Sequence, residues 1–298
     1  METKRSSNRI LRFPVTQIVI STIVCGGIVA LGQVIVLQLL QLTSLDKDAK
    51  NLINGIVAAI LIIGSYVIWF RFYEKRAVSE LSPTGMGGEL LAGITLGAAL
   101  QALTILVIYL AGGLLVVTIN PVLFVIPSLV GAFAVAVFEE VIVRGIVFRL
   151  IEKRWGSYVA LAISALIFGV LHLANPNSSV IAALGLAIQA GLLLASAYIY
   201  SRSLWFPIAI HFAWNFMEAG IFGANLSGNA VSRTLLTTKI DGPEWITGGA
   251  FGPEGSIQAT LFCLVATVCL LLLSHRQNKL IRPARSPYLL VNQAPLIN

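Results

Sequence analysis

An all-α fold, a polytopic bundle of about eight transmembrane helices, is predicted by three features of the sequence. Hydrophobic residues make up 57% of the 298 residues and charged residues only 11%, against about 25% charged in ordinary soluble domains. The mean hydropathy is +0.88, too apolar for one soluble core with a wettable surface, so lipid must be the solvent for most of the chain. Finally, the apolar residues fall into eight runs, each near the ~20 residues a helix needs to cross a bilayer.

Those runs cover roughly 15–42, 52–70, 90–111, 127–151, 157–174, 179–200, 204–224 and 257–274. The first follows Lys4, Arg5, Arg9 and Arg12 and is too long for a cleaved signal segment, so it reads as a retained anchor. Residues 112–126 hold Asn120-Pro121 before Pro127 and read as a re-entrant or interfacial turn. Residues 225–256 are polar and glycine-rich, the longest outer loop, and their default reading is a plain connection. The predicted organisation is a basic cytoplasmic tail (1–14), a membrane domain (15–275) and a second basic tail (276–298).

The net charge is +7, but the basic residues gather at span ends rather than in a patch. Arg71, Lys75 and Arg76, then Arg149, Lys153 and Arg154, then Arg202 fall on the same side as the two tails. Lys47, Lys50, Arg233 and Lys239 on the other side are offset by Asp46, Asp48, Asp241 and Glu244. Every loop fits one alternating topology with both termini cytoplasmic. The partner implied by the basic balance is the lipid bilayer; nucleic acid is not implied. Cys25, Cys263 and Cys269 lie in apolar runs without CxxC spacing and read as small buried hydrophobes rather than a disulfide or zinc framework.

Ionisable residues at mid-membrane cost ~2.5–3.5 kcal/mol each on insertion scales, so they mark function or a structural ion pair. Here they are concentrated. The fourth run carries Glu139, Glu140 and Arg144, the fifth ends Phe168 to His172, and the seventh carries His211 and Asn215. Glu140 and Arg144 are one helical turn apart and can form a desolvated pair. Glu139 points about 100° away without that cation, so its pKa should rise, as a general base at neutral pH requires. His211 and Asn215 share a face and can donate to a developing oxyanion. His172, from another helix, can share a water with Glu139 or pass a proton to a leaving amine, with Phe168 packed on its ring. Glu218 falls on the His211 stripe, with a lesser claim as a supporting residue. Trp155, Trp205 and Trp245 read as interfacial anchors.

The motifs EExxxR, FxxxH and HxxxN, in this order on successive apolar helices, resemble the CPBP family of intramembrane proteases. That family includes CAAX prenyl endopeptidases of the Rce1 type and bacterial Abi proteins linked to bacteriocin self-immunity. The resemblance covers roughly residues 125–220. It implies an intramembrane endopeptidase in which Glu139 takes the catalytic glutamate position, completed by Glu140, Arg144, His172, His211 and Asn215. One departure is Val143, where many members have an aromatic residue before the arginine; this alters packing more than chemistry.

The expected substrate is therefore a membrane-associated protein or peptide, and the expected setting a bacterial plasma membrane. No cofactor is expected. The alternative is zinc held by Glu139, His172 and His211, disfavoured because HExxH is missing and asparagine is a poor zinc ligand. Two other functions compete: a non-catalytic scaffold, immunity or regulatory protein using the same cavity, and a proton-coupled transporter. The transporter reading lacks the repeated halves such folds tend to show.

Overall fold

The computed structural model describes residues 13–283. The basic tail up to Arg12 and the part of the second tail beyond Pro283, Arg285 included, lie outside the described residues. Among the described residues eight long helices follow in chain order. They are α1 (Pro14–Gln41), α2 (Lys47–Tyr73), α3 (Met86–Leu110), α4 (Val122–Trp155), α5 (Ser157–Ala174) and α6 (Val180–Ser201), then α7 (Trp205–Asn215, continued by Phe216–Ile221) and α8 (Ile257–Arg276). All but α7 are long and apolar enough to cross a membrane, seven in number. Helix α7 is shorter, an 11-residue α-helix carried on by six π-helical residues.

Local chemistry sets several boundaries. Asp46 caps α2 by accepting from the Ala49 amide at 2.8 Å, and Ser179 and Ser256 cap α6 and α8 in the same way, each satisfying an amide without an intrahelical partner. Large apolar side chains such as Ile23, Leu31, Leu91, Leu110, Leu166 and Ile181 remain exposed. A contiguous apolar exterior of that kind needs a lipid environment.

Two short strands were not foreseen. Strand β1 (Leu114–Ile119) pairs antiparallel with β2 (Leu236–Ile240), Leu114 opposite Ile240 and Ile119 opposite Leu236, with a bulge between Val116 and Thr118. The stretch expected to be a re-entrant or interfacial turn thus contains an edge strand, and the outer loop 225–256 supplies its partner. Val116, Val117, Thr118 and Ile119 are suited to a pleated surface, but a search for ~20-residue spans passes over a six-residue strand. Asn120 locks the pair, its side-chain amide donating to Thr234 O at 3.1 Å and Thr237 Oγ1 at 2.8 Å.

The helix that will carry His211 is held by α3. Gly93 and Gly97 form a GxxxG face on which the α7 backbone lies directly, as small residues permit between membrane helices. A methyl group on Gly97 would run into the carbonyl oxygen of Ile210. At the end predicted to be cytoplasmic, α2 is tied to α4 by charge. Arg149 Nη1 reaches Glu74 Oε2 at 2.7 Å, Arg76 Nη2 reaches Glu80 Oε1 at 2.5 Å, and Tyr66 donates to Glu80. Burial pushes both carboxyls up. Arg149 with Arg76 at Glu74, and Arg76 with Tyr66 at Glu80, outweigh it and hold both below the usual carboxylate range.

Two outcomes follow from this packing. Gly97→Ala should separate α3 from α7 and cost about 1–3 kcal/mol, measured by thermal unfolding in lipid nanodiscs. A carboxyl with a depressed folded-state pKa adds stability above its unfolded value, near 4.3, and loses it as pH falls through the folded value. The melting temperature should therefore drop as the medium is acidified through and below that range, and Arg76→Ala should flatten the drop.

Candidate active site

The site begins where α4 changes its winding. Its α-helical part, Val125–Glu140, ends on the glutamate pair, and Val141–Phe148 continues as a π-helix. Similar π-helical stretches occupy Ala187–Leu192 of α6 and Phe216–Ile221 of α7. Such wide turns recur at functional sites because they re-aim side chains and carbonyls. The first carries Arg144, and the second presents the Ala190 and Gly191 carbonyls to its guanidinium.

Arg144 and Glu140 are both fully buried. Arg144 Nη1 donates to Glu140 Oε1 at 2.6 Å, and Nη2 donates to the carbonyls of Ala190 at 2.6 Å and Gly191 at 3.2 Å. The guanidinium also lies 5.0 Å from the centre of the Phe168 ring, a cation–π distance. The same Glu140 oxygen accepts from His211 Nδ1 at 3.0 Å. That bond places the proton on Nδ1 and turns Nε2 outward, 4.0 Å from Glu139 Oε2.

Glu139 is placed differently. Its side chain is 26% exposed and lines a cavity of about 460 Å³ together with His172, His211 and Asn215. Glu139 Oε2 is withdrawn from solvent without a hydrogen-bond partner. A water molecule between it and His211 Nε2 would fill a gap too long for a direct bond. Val135, Phe138, Ile142 and Leu171 make the apolar side of the cavity, while Leu226, Ser227, Asn229 and Val231 of the outer loop form another wall.

His172 reaches this cavity by folding back. Helix α5 tightens at His172 into a 3₁₀ turn, and His172 Nδ1 donates to Phe168 O at 2.8 Å. The imidazole stacks on Phe168 at 4.5 Å between ring centres, and Phe168 meets His211 edge-on at 6.2 Å. With Nδ1 occupied as a donor, neutral His172 presents Nε2 as an acceptor. Counting rise along straight helices puts His172 several ångströms out of level with His211; the 3₁₀ turn and the shared Phe168 bring the two rings into one cavity.

The structure therefore brings Glu139, His172, His211 and Asn215 together on the cavity and sets Glu140 and Arg144 behind them. Sequence reasoning gave no role to Ser227 and Gln189, and none to Glu254, which is 2% exposed. These three line a smaller void of about 40 Å³ on the far side of the histidines, large enough for water by volume. A glutamate in a polar loop ordinarily reads as solvated, so Glu254 carried no warning. Among the described residues no three His, Cys, Asp or Glu side chains are grouped to hold a metal ion. Each histidine donates Nδ1 to a protein acceptor, which leaves its Nε2 free.

Residues 121–217 match the family model of type II CAAX prenyl endopeptidase Rce1-like proteins, the family that the three motifs resemble. The matched segment spans α4 to α7 and contains every one of the six motif residues. With seven helices long and apolar enough to cross a membrane, the chain is a multi-pass integral membrane protein whose segment 121–217 is similar to that family. No curated protein and no solved structure matches it.

Removing one partner of a buried ion pair strands the other charge, at about 3–5 kcal/mol. Arg144→Ala should lose stability on that scale in thermal unfolding, whereas Glu139→Gln, half-buried and outside the pair, should stay within about 0.5 kcal/mol of wild type.

Proposed function

We propose that this protein is an intramembrane endopeptidase that hydrolyses a peptide bond of a membrane-associated protein or peptide with a glutamate-activated water. The observation that carries the reading is the gathering of Glu139, with its unpartnered oxygen, and His172, His211 and Asn215 on one half-apolar cavity. In this reading the Glu139 carboxylate takes a proton from a water also held by His172 Nε2, and the hydroxide adds to the scissile carbonyl carbon. The carbonyl oxygen becomes an oxyanion that accepts from the Asn215 amide and from the Nε2–H of His211, which enters the cycle as an imidazolium with its Nδ1–H held by Glu140. The carbon–nitrogen bond then breaks. The proton held by Glu139 passes to the departing amine, so the carboxylate is restored. Glu140 fixes the His211 ring throughout, as a carboxylate does for a catalytic imidazole.

The setting that fits is a bacterial plasma membrane, with both termini cytoplasmic as the loop charges imply. The apolar cavity wall suits an extended or membrane-embedded peptide segment. A non-catalytic scaffold would use the same cavity for binding without needing the unpartnered Glu139 oxygen.

The test is cleavage of a library of membrane-associated peptides by purified protein in lipid vesicles. Glu139→Ala should reduce kcat/KM by at least about 100-fold with unchanged melting temperature, and Asn215→Ala should reduce kcat by about 100- to 1,000-fold. A zinc chelator should leave the rate unchanged. Wild-type rates in Glu139→Ala would overturn the mechanism, chelator-sensitive cleavage restored by zinc would establish a metal enzyme, and well-folded wild type that cleaves nothing would favour the scaffold.

A further inference from the structure

Behind the histidines lie two carboxyl groups that the mechanism does not use. Glu218 is fully buried in the π-helical end of α7, and Glu254, 2% exposed, lies in the outer loop just before α8. Glu218 Oε1 accepts from the Glu254 amide at 3.4 Å, so the loop backbone sits on the Glu218 carboxyl. Glu218 Oε2 and Glu254 Oε1 are both buried without a hydrogen-bond partner, and the Glu254 charge acts on the Glu218 carboxyl. Two ionised carboxylates in that position would repel across a low-dielectric gap. One proton held by the pair would relieve that repulsion.

We propose that Glu254 is a further positioning residue of the site, sharing a single proton with Glu218, and that this shared proton keeps the loop segments bearing Ser227 and Glu254 closed over His172. The loop is built for such closure. Gln189 of α6 donates to Glu254 O at 2.7 Å, and Asn175, just after α5, donates to Ser227 O at 3.1 Å. The Gly228 amide donates to Phe251 O at 2.7 Å, so the two ends of the loop meet above the site. Glu254 then faces His172 from α5, His211 from α7, Cys263 from α8 and Ser227 from the loop itself. Gln101 of α3 and Trp214 of α7 stand beside Glu218, and Glu244 packs under Gly249 in the same loop. Burial pushes the Glu254 carboxyl up, while Ser227 and positive charge on His172 or His211 pull it back. Ser227 and Glu254 both line the void of about 40 Å³ behind His172, so opening the pair would unmake that wall. The proposal depends on the hydrolytic reading only for its effect on cleavage.

The test is hydrogen–deuterium exchange of residues 225–256 in lipid nanodiscs, corrected for intrinsic amide rates, beside peptide cleavage over the same pH range. Wild type should be protected at neutral pH. In the alkaline range its exchange should rise about tenfold per pH unit, as expected when opening releases one proton. Glu218→Gln and Glu254→Gln should each stay protected, because a carboxamide N–H replaces the shared proton, and both should cleave further into the alkaline range than wild type. Protection that ignores pH in wild type, or falls equally in both glutamine variants, would overturn the proposal. Exchange of α2 serves as the folding control for the variants. A wild type that cleaves nothing but opens in this pH-dependent way would sink the protease reading and leave the proton-sharing pair supported.

Discussion

Arg144 is the largest side chain that the fold removes completely from solvent, and most of the site follows from that. Withdrawing a guanidinium and a carboxylate from water costs several kcal/mol per ion, recovered only with close geometry and further hydrogen bonds. The chain supplies Glu140 from the same helix, two carbonyls from α6, the Phe168 face from α5, and His211 of α7 on the shared carboxylate. Four helices are thereby pinned at one place. A bundle held only by lipid-facing hydrophobes would have no such fixed point, since apolar side chains are nearly as well solvated by lipid as by one another.

The same constraint divides the labour of two adjacent glutamates. Glu140 is held by Arg144 and His211 on one carboxylate oxygen. Glu139, one residue earlier, is turned onto the cavity and is left without a partner. Helical geometry makes this division from identical side chains, and the π-helical stretch that starts at Val141 lets α4 bury Arg144 immediately after exposing Glu139. Close contact of α3 with α7 through Gly93 and Gly97 completes the arrangement by fixing the height of His211.

Much of this was legible in the sequence because the physics is local. Hydrophobic run length located all eight long helices to within a few residues, α5 at 157–174 among them, and spacing alone anticipated the Glu140–Arg144 contact and the stacking of Phe168 on His172. Features set by tertiary context were not legible. The π-helical segments leave no mark in composition, and the Glu140–His211 bond joins residues on helices whose crossing is invisible to periodicity. Strands β1 and β2 were too short for a span-length search. Glu254 was passed over because nothing in a polar loop announces burial, and Glu218 received only a minor part because its partner lay 36 residues away.

The outer loop shows why composition misleads in such places. Glycine-rich, polar sequence between two spans reads as slack, yet here the glycines serve close approach. A side chain on Gly228 would strike the carbonyl oxygen of Pro176, and one on Gly252 would strike that of Asn225. Both residues have positive φ, 82° and 114°, conformations that glycine adopts at least cost. The loop is also stitched to β1 through β2 and to the end of α5 through Asn175 and Asn177. A segment held at so many points is a wall, and it stands across the cavity from the apolar helices. The polar chemistry of the bundle is thus enclosed on one side by lipid-adapted helices and on the other by a loop that supplies its own buried carboxyl. That enclosure is what allows charged groups to persist at a depth where bulk water is scarce and lipid cannot solvate them.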